Sequence, residues 1–359
     1  MPKEEIWEAS TPVPKTRDEF FHKFTSPERA MRKAVEEGRV IQVDFELNNT
    51  CYGSCAYCYS SSHPKGDSSM PTEKVLQLID QLAELGVRQL TWPGGDPFYH
   101  PDCFRIWRYA GEKGLRNFPW TSGLPITKKV AQQICQEPSI RMIGFHIDSI
   151  DPQVYARVHR DPKGLEGKLR GYRNLLEAGF PPERVFGCIC ITKPAIEGIE
   201  ATLEWFIDEM GVKFVDMPAF RPLGYGASHK EWEPSREEVQ RACEYRAKKL
   251  GENFLRFGPM ECSRFFCQSY FIIDSEGLVH PCGQLPHLVA GSVFEKSIKE
   301  IYQENHEMLL FKFQVKGYCG QCENKDVCFG CRANAYYYTG DVQASDPKCW
   351  LNPEARTVR

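Results

Sequence analysis

From Ile41 to about Tyr225 the chain alternates short apolar runs with stretches whose apolar residues recur at helical spacing. The runs at 41–47, 89–92, 117–120, 142–147, 185–191 and 214–217 have the length and bounds of strands in a buried parallel sheet. Between the first two, Val75, Leu78, Ile79, Leu82 and Leu85 share one face of a helix over 71–85, with Pro71 in its first turn and Gly86 as its C-cap. Further helical patterns fall at about 104–113, 128–136, 165–178 and 197–210. Strands joined by helices require right-handed crossovers, so the predicted class is α/β, a parallel sheet curled into a full or partial barrel. In such sheets the chemistry sits at the C-terminal strand ends. Cys51 to Cys58 follow the first strand, and Pro93-Gly94-Gly95-Asp96-Pro97 follow the second. These two segments are expected to face each other across one mouth.

Composition removes several classes of function. The chain has 359 residues, 42% of them apolar, enough for one large core and a smaller satellite domain. It contains no run of eighteen or more uncharged apolar residues, so no membrane span is expected. The first residues, Met1 to Ile6, lack the basic start and apolar stretch of a signal peptide, which points to the cytoplasm. Lys plus Arg is 45 against 48 Asp plus Glu, a net charge of -3 that gives no electrostatic case for nucleic acid.

The 16 cysteines change the picture more. Reducing compartments keep thiols free, so a disulfide framework is not expected. Cys103, Cys135, Cys188, Cys190 and Cys243 are scattered and read as small buried apolar residues. The other eleven fall at metal-ligand spacings. Cys51, Cys55 and Cys58 form a C-x-x-x-C-x-x-C loop. Three thiolates hold three irons of a four-iron cubane and leave the fourth open, able to bind a substrate-like molecule and hand it an electron. This loop therefore reads as a reactive cluster site. Gly94 and Gly95 let backbone approach a ligand closely, and Pro97 fixes the turn.

The remaining eight lie between Cys262 and Cys349. A hairpin-like segment, Tyr270 to His280 with its turn at Asp274 to Gly277, brings Cys267 and Cys282 together. Cys319 and Cys322, Cys328 and Cys331, and finally Cys349 follow. Eight such ligands suit two closed tetrathiolate sites, for iron–sulfur clusters or equally for zinc.

The loop, with Tyr57 before its last cysteine, and the Gly94-Gly95-Asp96-Pro97 turn resemble the radical S-adenosylmethionine enzymes, with Asp96 standing where glutamate is usual. The resemblance implies a partial (β/α)6 barrel and an open iron chelated by the amino and carboxylate groups of S-adenosylmethionine. It implies reductive cleavage to a 5'-deoxyadenosyl radical that takes hydrogen from a substrate. On the same basis Gly94, Gly95 and Asp96 would contact the methionine amino group, and Asp148 matches the acid after strand four. Arg160 resembles an arginine used on the methionine carboxylate, and Thr192 falls near the adenine-contacting position. From the residues alone, Asp148 reads equally as a helix cap and Arg160 as part of a solvated basic helix face.

The later cysteines resemble the SPASM extension of the same enzymes, with the shorter final gap, Cys328 to Cys331, of a branch that includes tetrapyrrole-modifying and some peptide-modifying members. The resemblance implies that Cys262, Cys267, Cys282 and Cys331 bind a first auxiliary 4Fe-4S cluster. Cys319, Cys322, Cys328 and Cys349 would bind a second, making three clusters in all, with the auxiliary pair as an electron relay. The expected organisation is an extension over 1–40, the barrel over 41–226, a bridging helical segment over 227–258 and the SPASM unit over 259–359.

Substrate identity is less legible. The expected partners are a peptide or small-molecule substrate and an electron donor such as flavodoxin or ferredoxin. About forty residues precede the first strand, too few for a winged-helix peptide-recognition domain. Oxidative modification of a peptide or protein leads, with tetrapyrrole or small-molecule modification as the alternative and a zinc-organised scaffold without chemistry as the contrasting class. Arg221, in the segment that ends the barrel, is expected to meet a substrate carboxylate or a structural acid. Trp92 and Tyr99 are expected at the mouth, and Tyr336-Tyr337-Tyr338 to pack around a cluster. Spacing names no catalytic acid or base.

Overall fold

The computed structural model describes residues 28–256 and 263–354. The barrel strands are β1 (Gln42–Phe45), β2 (Gln89–Trp92), β3 (Arg116–Thr121), β4 (Ile143–His146), β5 (Val185–Cys188) and β6 (Phe214–Asp216), each pair of sequence neighbours parallel. Helices occupy the connections, among them Thr72–Leu85, Cys103–Glu112, Lys128–Gln136 and Gly164–Glu177, within a residue or two of the periodicity. The first ends at Gly86, whose φ of 94° is left-handed, as a glycine C-cap allows. The expected helix over 197–210 is instead broken into a 3-10 stretch, a short α-helix Ile199–Glu204 and a wide turn Trp205–Glu209.

The C-terminal hairpin does not stand apart. Its first strand, β7 (Tyr270–Ile273), pairs parallel with β1 in the register Gln42↔Tyr270, and β8 (Leu278–His280) and β9 (Gly291–Ser292) follow antiparallel. One sheet therefore runs β6-β5-β4-β3-β2-β1-β7-β8-β9 across the boundary between the barrel and the cysteine-rich region. The β1 edge of an unclosed barrel would otherwise leave a row of backbone groups unpaired.

Register assigns the two faces. Val43, Phe45, Leu90, Trp92, Ile143, Phe145, Val185 and Val215 are fully buried on the outward face, against helix residues such as Val75, Leu78, Ile79 and Leu82. Partners across the sheet share a face, so Tyr270, Gln42, Asp44, Thr91, Phe118, Trp120, His146, Cys188 and Asp216 point inward. Phe118, Met142, Phe186 and Phe214 plug the lower lumen, while Asp44, Thr91, His146, Cys188 and Asp216 above them stay partly exposed.

Trp92 corrects the expectation that it lines the mouth. It is fully buried on the helix-covered side, stacked on Phe45 with ring centroids 5.4 Å apart, and its Nε1 donates to Asn117 Oδ1 at 2.8 Å. Asn117 in turn donates from Nδ2 to Trp107 O at 2.8 Å and to Ser139 Oγ at 2.9 Å. Trp92→Ala is expected to cost about 3–5 kcal/mol, from the lost ring and the orphaned amide, read as a lower urea midpoint of unfolding.

Candidate active site and metal centres

The two motifs are joined by backbone. Gly95 N–H donates to Asn48 O at 2.9 Å and Asp96 N–H to Thr50 O at 2.8 Å. A Cβ on Gly95 would stand 2.4 Å from Thr50 O, and Gly94, at φ 101°, would place one 2.8 Å from Glu46 Cβ. Both glycines are therefore required by the approach of the turn to the segment leading into the cysteine loop. The Asp96 carboxylate is turned to the end of β3. Fully buried, it accepts from Thr121 Oγ1, Ser122 N and Ser122 Oγ, each at 2.8 Å, and so clamps the end of β3.

In the loop two of the sulfurs flank Gly53: a Cβ there would lie 3.2 Å from Cys51 Sγ and 4.0 Å from Cys55 Sγ. Gly53 N–H reaches Cys51 Sγ at 3.2 Å, and Cys58 Sγ lies 3.4 Å from Ser60 Oγ. Behind Cys55 is a polar knot that sequence spacing gave no hint of. Asp148, 1% exposed, contacts His159 Nε2 at 2.8 Å and His146 Nε2 at 2.9 Å, and accepts from Tyr57 Oη at 2.5 Å and Cys190 N at 2.9 Å. The helix-cap reading of Asp148 falls, because Asp151 caps that helix through Gln153 N and Val154 N. Burial raises the Asp148 pKa, but His146 and His159 outweigh it and hold the carboxyl well below its usual range.

His146 Nδ1 lies 3.7 Å from Cys55 Sγ, and His159 Nδ1 lies 3.0 Å from Gly53 O. Burial pushes the Cys55 thiol up, yet His159, buried Lys168 and His146 reverse that and hold it well below the ordinary thiol range. Cys51 has the opposite surroundings. Burial and then the Asp96, Cys55 and Cys58 charges push it up. Cys188 and Cys190 are not sealed apolar residues as expected; both are partly exposed, and Cys190 packs with Tyr57 and Cys55.

Arg160 stands beyond the helix Pro152–Val158 rather than on its face, its N–H on Ser54 O at 2.9 Å and its guanidinium 4.4 Å from the Tyr225 ring centroid. Thr192, after β5, is fully buried, and its Oγ1 has no partner among the described residues, as is true of Asn48 Nδ2 beside the glycine turn. Tyr99 does reach the mouth, 4.9 Å from the exposed Tyr52.

Two acids complete the inward face. Asp44 accepts from Tyr270 Oη at 3.0 Å, and burial, opposed by Tyr270 and Thr91, raises its pKa to about 7. Burial, then the Asp274 and Asp44 charges, raise Glu46 to about 8 against the hydrogen bonds of Ser275 and Tyr59. Among the described residues neither acid has a Lys or Arg at ion-pair distance. The alternation Gln42, Asp44, Glu46 against Ile41, Val43, Phe45, Leu47 was the available signal for them.

The C-terminal cysteines fall into two groups. Cys267, Cys282 and Cys331 gather around Leu285, Phe311, Phe329 and Ala333, and Cys262 lies outside the described residues. Cys319, Cys322, Cys328 and Cys349 line one pocket with Arg256, Tyr318 and Asn324. Asp346 N, Asn324 N and Gly330 N point at Cys319, Cys322 and Cys328 Sγ, each at 3.4 Å. All fifteen described cysteines are free thiols. Free thiols, amides aimed at sulfur and a cavity walled by four cysteines fit thiolate-held clusters. Arg221 corrects its expectation: it is 4% exposed and bonds to Asn334, Gln284 and Cys331, not to an acid or the lumen.

Comparison with known proteins agrees with this geometry. The model of the radical SAM superfamily matches residues 45–206, and that of an iron–sulfur cluster-binding SPASM domain matches residues 262–332. The chain belongs to the radical SAM superfamily. It is 29% identical to an AdoMet-dependent heme synthase of Methanosarcina barkeri over 87% of this chain and 96% of that protein. It is 24% identical to a PqqA peptide cyclase of Granulibacter bethesdensis, over 86% of each. The structure of Streptococcus suis SuiB bound to S-adenosylmethionine shares the fold at a TM-score of 0.67, 14% identity, covering 90% of this chain and 81% of that one. Native anSMEcpe with bound AdoMet gives 0.66, 16% identity, covering 85% and 93%. This radical SAM protein is thus an enzyme whose cofactor classes are iron–sulfur clusters and S-adenosylmethionine, which sets aside the zinc scaffold. No helix among the described residues is long and apolar enough to cross a membrane.

The buried acids carry a sign that can be worked out. A carboxyl titrating higher in the folded than in the unfolded chain holds an extra proton between the two values, so stability falls as pH rises through that window. For Asp44 and Glu46 the window runs from their ordinary values of 3.8 and 4.5 to about 7 and 8. Asp44→Asn and Glu46→Gln are each expected to flatten the pH dependence of urea unfolding across it. Each variant is expected to exceed the wild type in stability at its alkaline end.

Proposed function

We propose that the chain is a radical S-adenosylmethionine oxidoreductase holding three 4Fe-4S clusters, which oxidatively modifies a peptide or protein. Cys51, Cys55 and Cys58 hold the cluster with the open iron; Cys262, Cys267, Cys282 and Cys331 hold one auxiliary cluster; Cys319, Cys322, Cys328 and Cys349 hold the other. When bound, the first cluster and S-adenosylmethionine supply a 5'-deoxyadenosyl radical. The observation that carries the reading is the three-cysteine loop pinned by Gly95 and Asp96 over a lumen that holds Asp44 and Glu46.

The chain's own residues have separable tasks. Gly94 and Gly95 offer backbone carbonyls at the mouth, Asp96 fixes their turn through its bonds to Thr50, Tyr99 and Ser122, and Arg160 offers a cation beside the loop, held on Tyr225. The unpaired Asn48 Nδ2 and Thr192 Oγ1 are available to a polar ligand there. The aromatic plug of Phe118, Phe186 and Phe214 closes the lumen from below, which protects a radical from solvent. Glu46 and Asp44, poised near neutrality, can accept the proton that an oxidised substrate releases. Their charge supports a neutral or cationic reacting group, as on a peptide side chain. A flavodoxin or ferredoxin is the proposed electron source.

Tetrapyrrole modification remains the second reading, favoured by the 29% identity to a heme synthase along 96% of that protein. Product mass separates them: a peptide losing a pair of hydrogens supports the first, and a mass change on a tetrapyrrole side chain supports the second. Anaerobically prepared protein is expected to carry about twelve irons for three cubanes. Serine at any of Cys51, Cys55 or Cys58 is expected to abolish release of 5'-deoxyadenosine while the auxiliary irons, about eight, remain. Retained release would overturn the assignment of the loop.

A further inference from the structure

Arg221 ends the barrel segment after β6 and is buried without a carboxylate at ion-pair distance among the described residues. Its Nη2 donates to Cys331 Sγ at 3.3 Å, its Nη1 to Gln284 Oε1 at 2.6 Å and its Nε to Asn334 Oδ1 at 2.9 Å. Asn334 then passes the contact on. Its Nδ2 donates to Asp346 Oδ2 at 3.2 Å, and its own N–H reaches Cys331 Sγ at 3.4 Å. Asp346, fully buried, also takes the Cys331 N–H at 3.0 Å, and gives its backbone N–H to Cys319 Sγ at 3.4 Å.

Arg221, Asn334 and Asp346 thus form a continuous polar bridge from one auxiliary cysteine set to the other. At one end the Cys331 sulfur receives a hydrogen bond from a full cation; at the other the Cys319 sulfur receives the Asp346 backbone amide, with Ser345 and the buried Arg332 guanidinium also near it. Each electron added to a cluster makes it more negative, and a cationic donor on its sulfur stabilises that reduced form.

We propose that Arg221 is a positioning residue that raises the potential of the auxiliary cluster bound through Cys331. This rests on the three-cluster reading above. The Cys331 set is also the one beside the barrel, since Gly283, next to Cys282, lies against the Tyr59 ring, and Tyr59 follows Cys58. The potential is therefore raised next to the reacting centre, where an electron leaving an oxidised substrate would come to rest.

The test is a redox titration followed by electron paramagnetic resonance, on full-length, cluster-loaded protein. A Cys319→Ala, Cys322→Ala background removes the second auxiliary cluster and so assigns the remaining auxiliary signal to the Cys331 set. Arg221→Gln is expected to lower that midpoint and leave the midpoint of the Cys51-Cys55-Cys58 cluster unmoved. Arg221→Lys, which keeps charge but not the guanidinium fork, is expected to lower it less. An unmoved midpoint in both variants at wild-type iron content overturns the proposal, as does an equal drop in both clusters. If the glutamine variant loses iron, the lysine variant decides alone. Wild-type protein without auxiliary signals would remove the three-cluster reading itself, whereas an unmoved midpoint at full iron content leaves that reading standing.

Discussion

The mouth of this barrel depends on how closely two backbone segments approach. Gly95 and Asp96 donate into Asn48 and Thr50, so the strand that carries the cysteine loop and the strand that carries the glycine turn end in one shared hydrogen-bonded seam. A side chain on Gly95 would collide with Thr50 O at 2.4 Å, and no rotamer relieves a clash with backbone. The Asp96 carboxylate extends the seam to Thr121 and Ser122, so three consecutive strand ends are fixed together. A loop that must hold three sulfurs at one spacing needs such a rigid base.

That base gives the three cysteines unequal surroundings. Cys55 sits against His146 and His159, both ordered by Asp148, with Lys168 nearby, while Cys51 sits near Asp96. The thiolate is the metal ligand, so the electropositive side of the loop is already disposed to bind and the Cys51 side becomes so only when a metal compensates its burial. Without the histidines Asp148 would be a buried, unpaired carboxylate; without Asp148 the histidines would lose their orientation. The knot and the loop are one unit, also joined through Ala56 N–H on Val158 O and Arg160 N–H on Ser54 O.

Much of the architecture was legible, because its strands are continuous apolar runs and its helices carry one apolar stripe. The six strands and the hairpin appear where periodicity places them. What was not legible depended on contacts between distant residues. His146 and His159 are single histidines at unremarkable positions until β4 and the following helix bring both onto Asp148. Trp92 and Arg221 were misplaced for one reason: residues beside a functional loop were taken to face the mouth, while strand alternation sends Trp92 outward and the fold draws Arg221 under the second cysteine region. Asp44 and Glu46 were visible in the alternation of β1, but a parallel strand buried on both sides does not announce that one of its faces lines a lumen.

The pairing of β7 with β1 is what fixes the cysteine-rich region against the barrel. A free-standing cysteine-rich module would hold its metals wherever a linker allowed. Because Tyr270 takes its place beside Gln42 in the same sheet, the chain leaving β8 must return along the barrel rim, and Cys282 and Gly283 arrive against Tyr59, the residue after Cys58. The same strand carries Tyr270 Oη to Asp44, so the hairpin also supplies part of the lumen wall. From there Cys331, Asn334 and Asp346 lead to the cavity of Cys319, Cys322, Cys328 and Cys349. The three-cysteine loop, the group of Cys267, Cys282 and Cys331 and the group of Cys319, Cys322, Cys328 and Cys349 are thereby placed in succession by backbone pairing and packing, and their order cannot change without breaking the sheet.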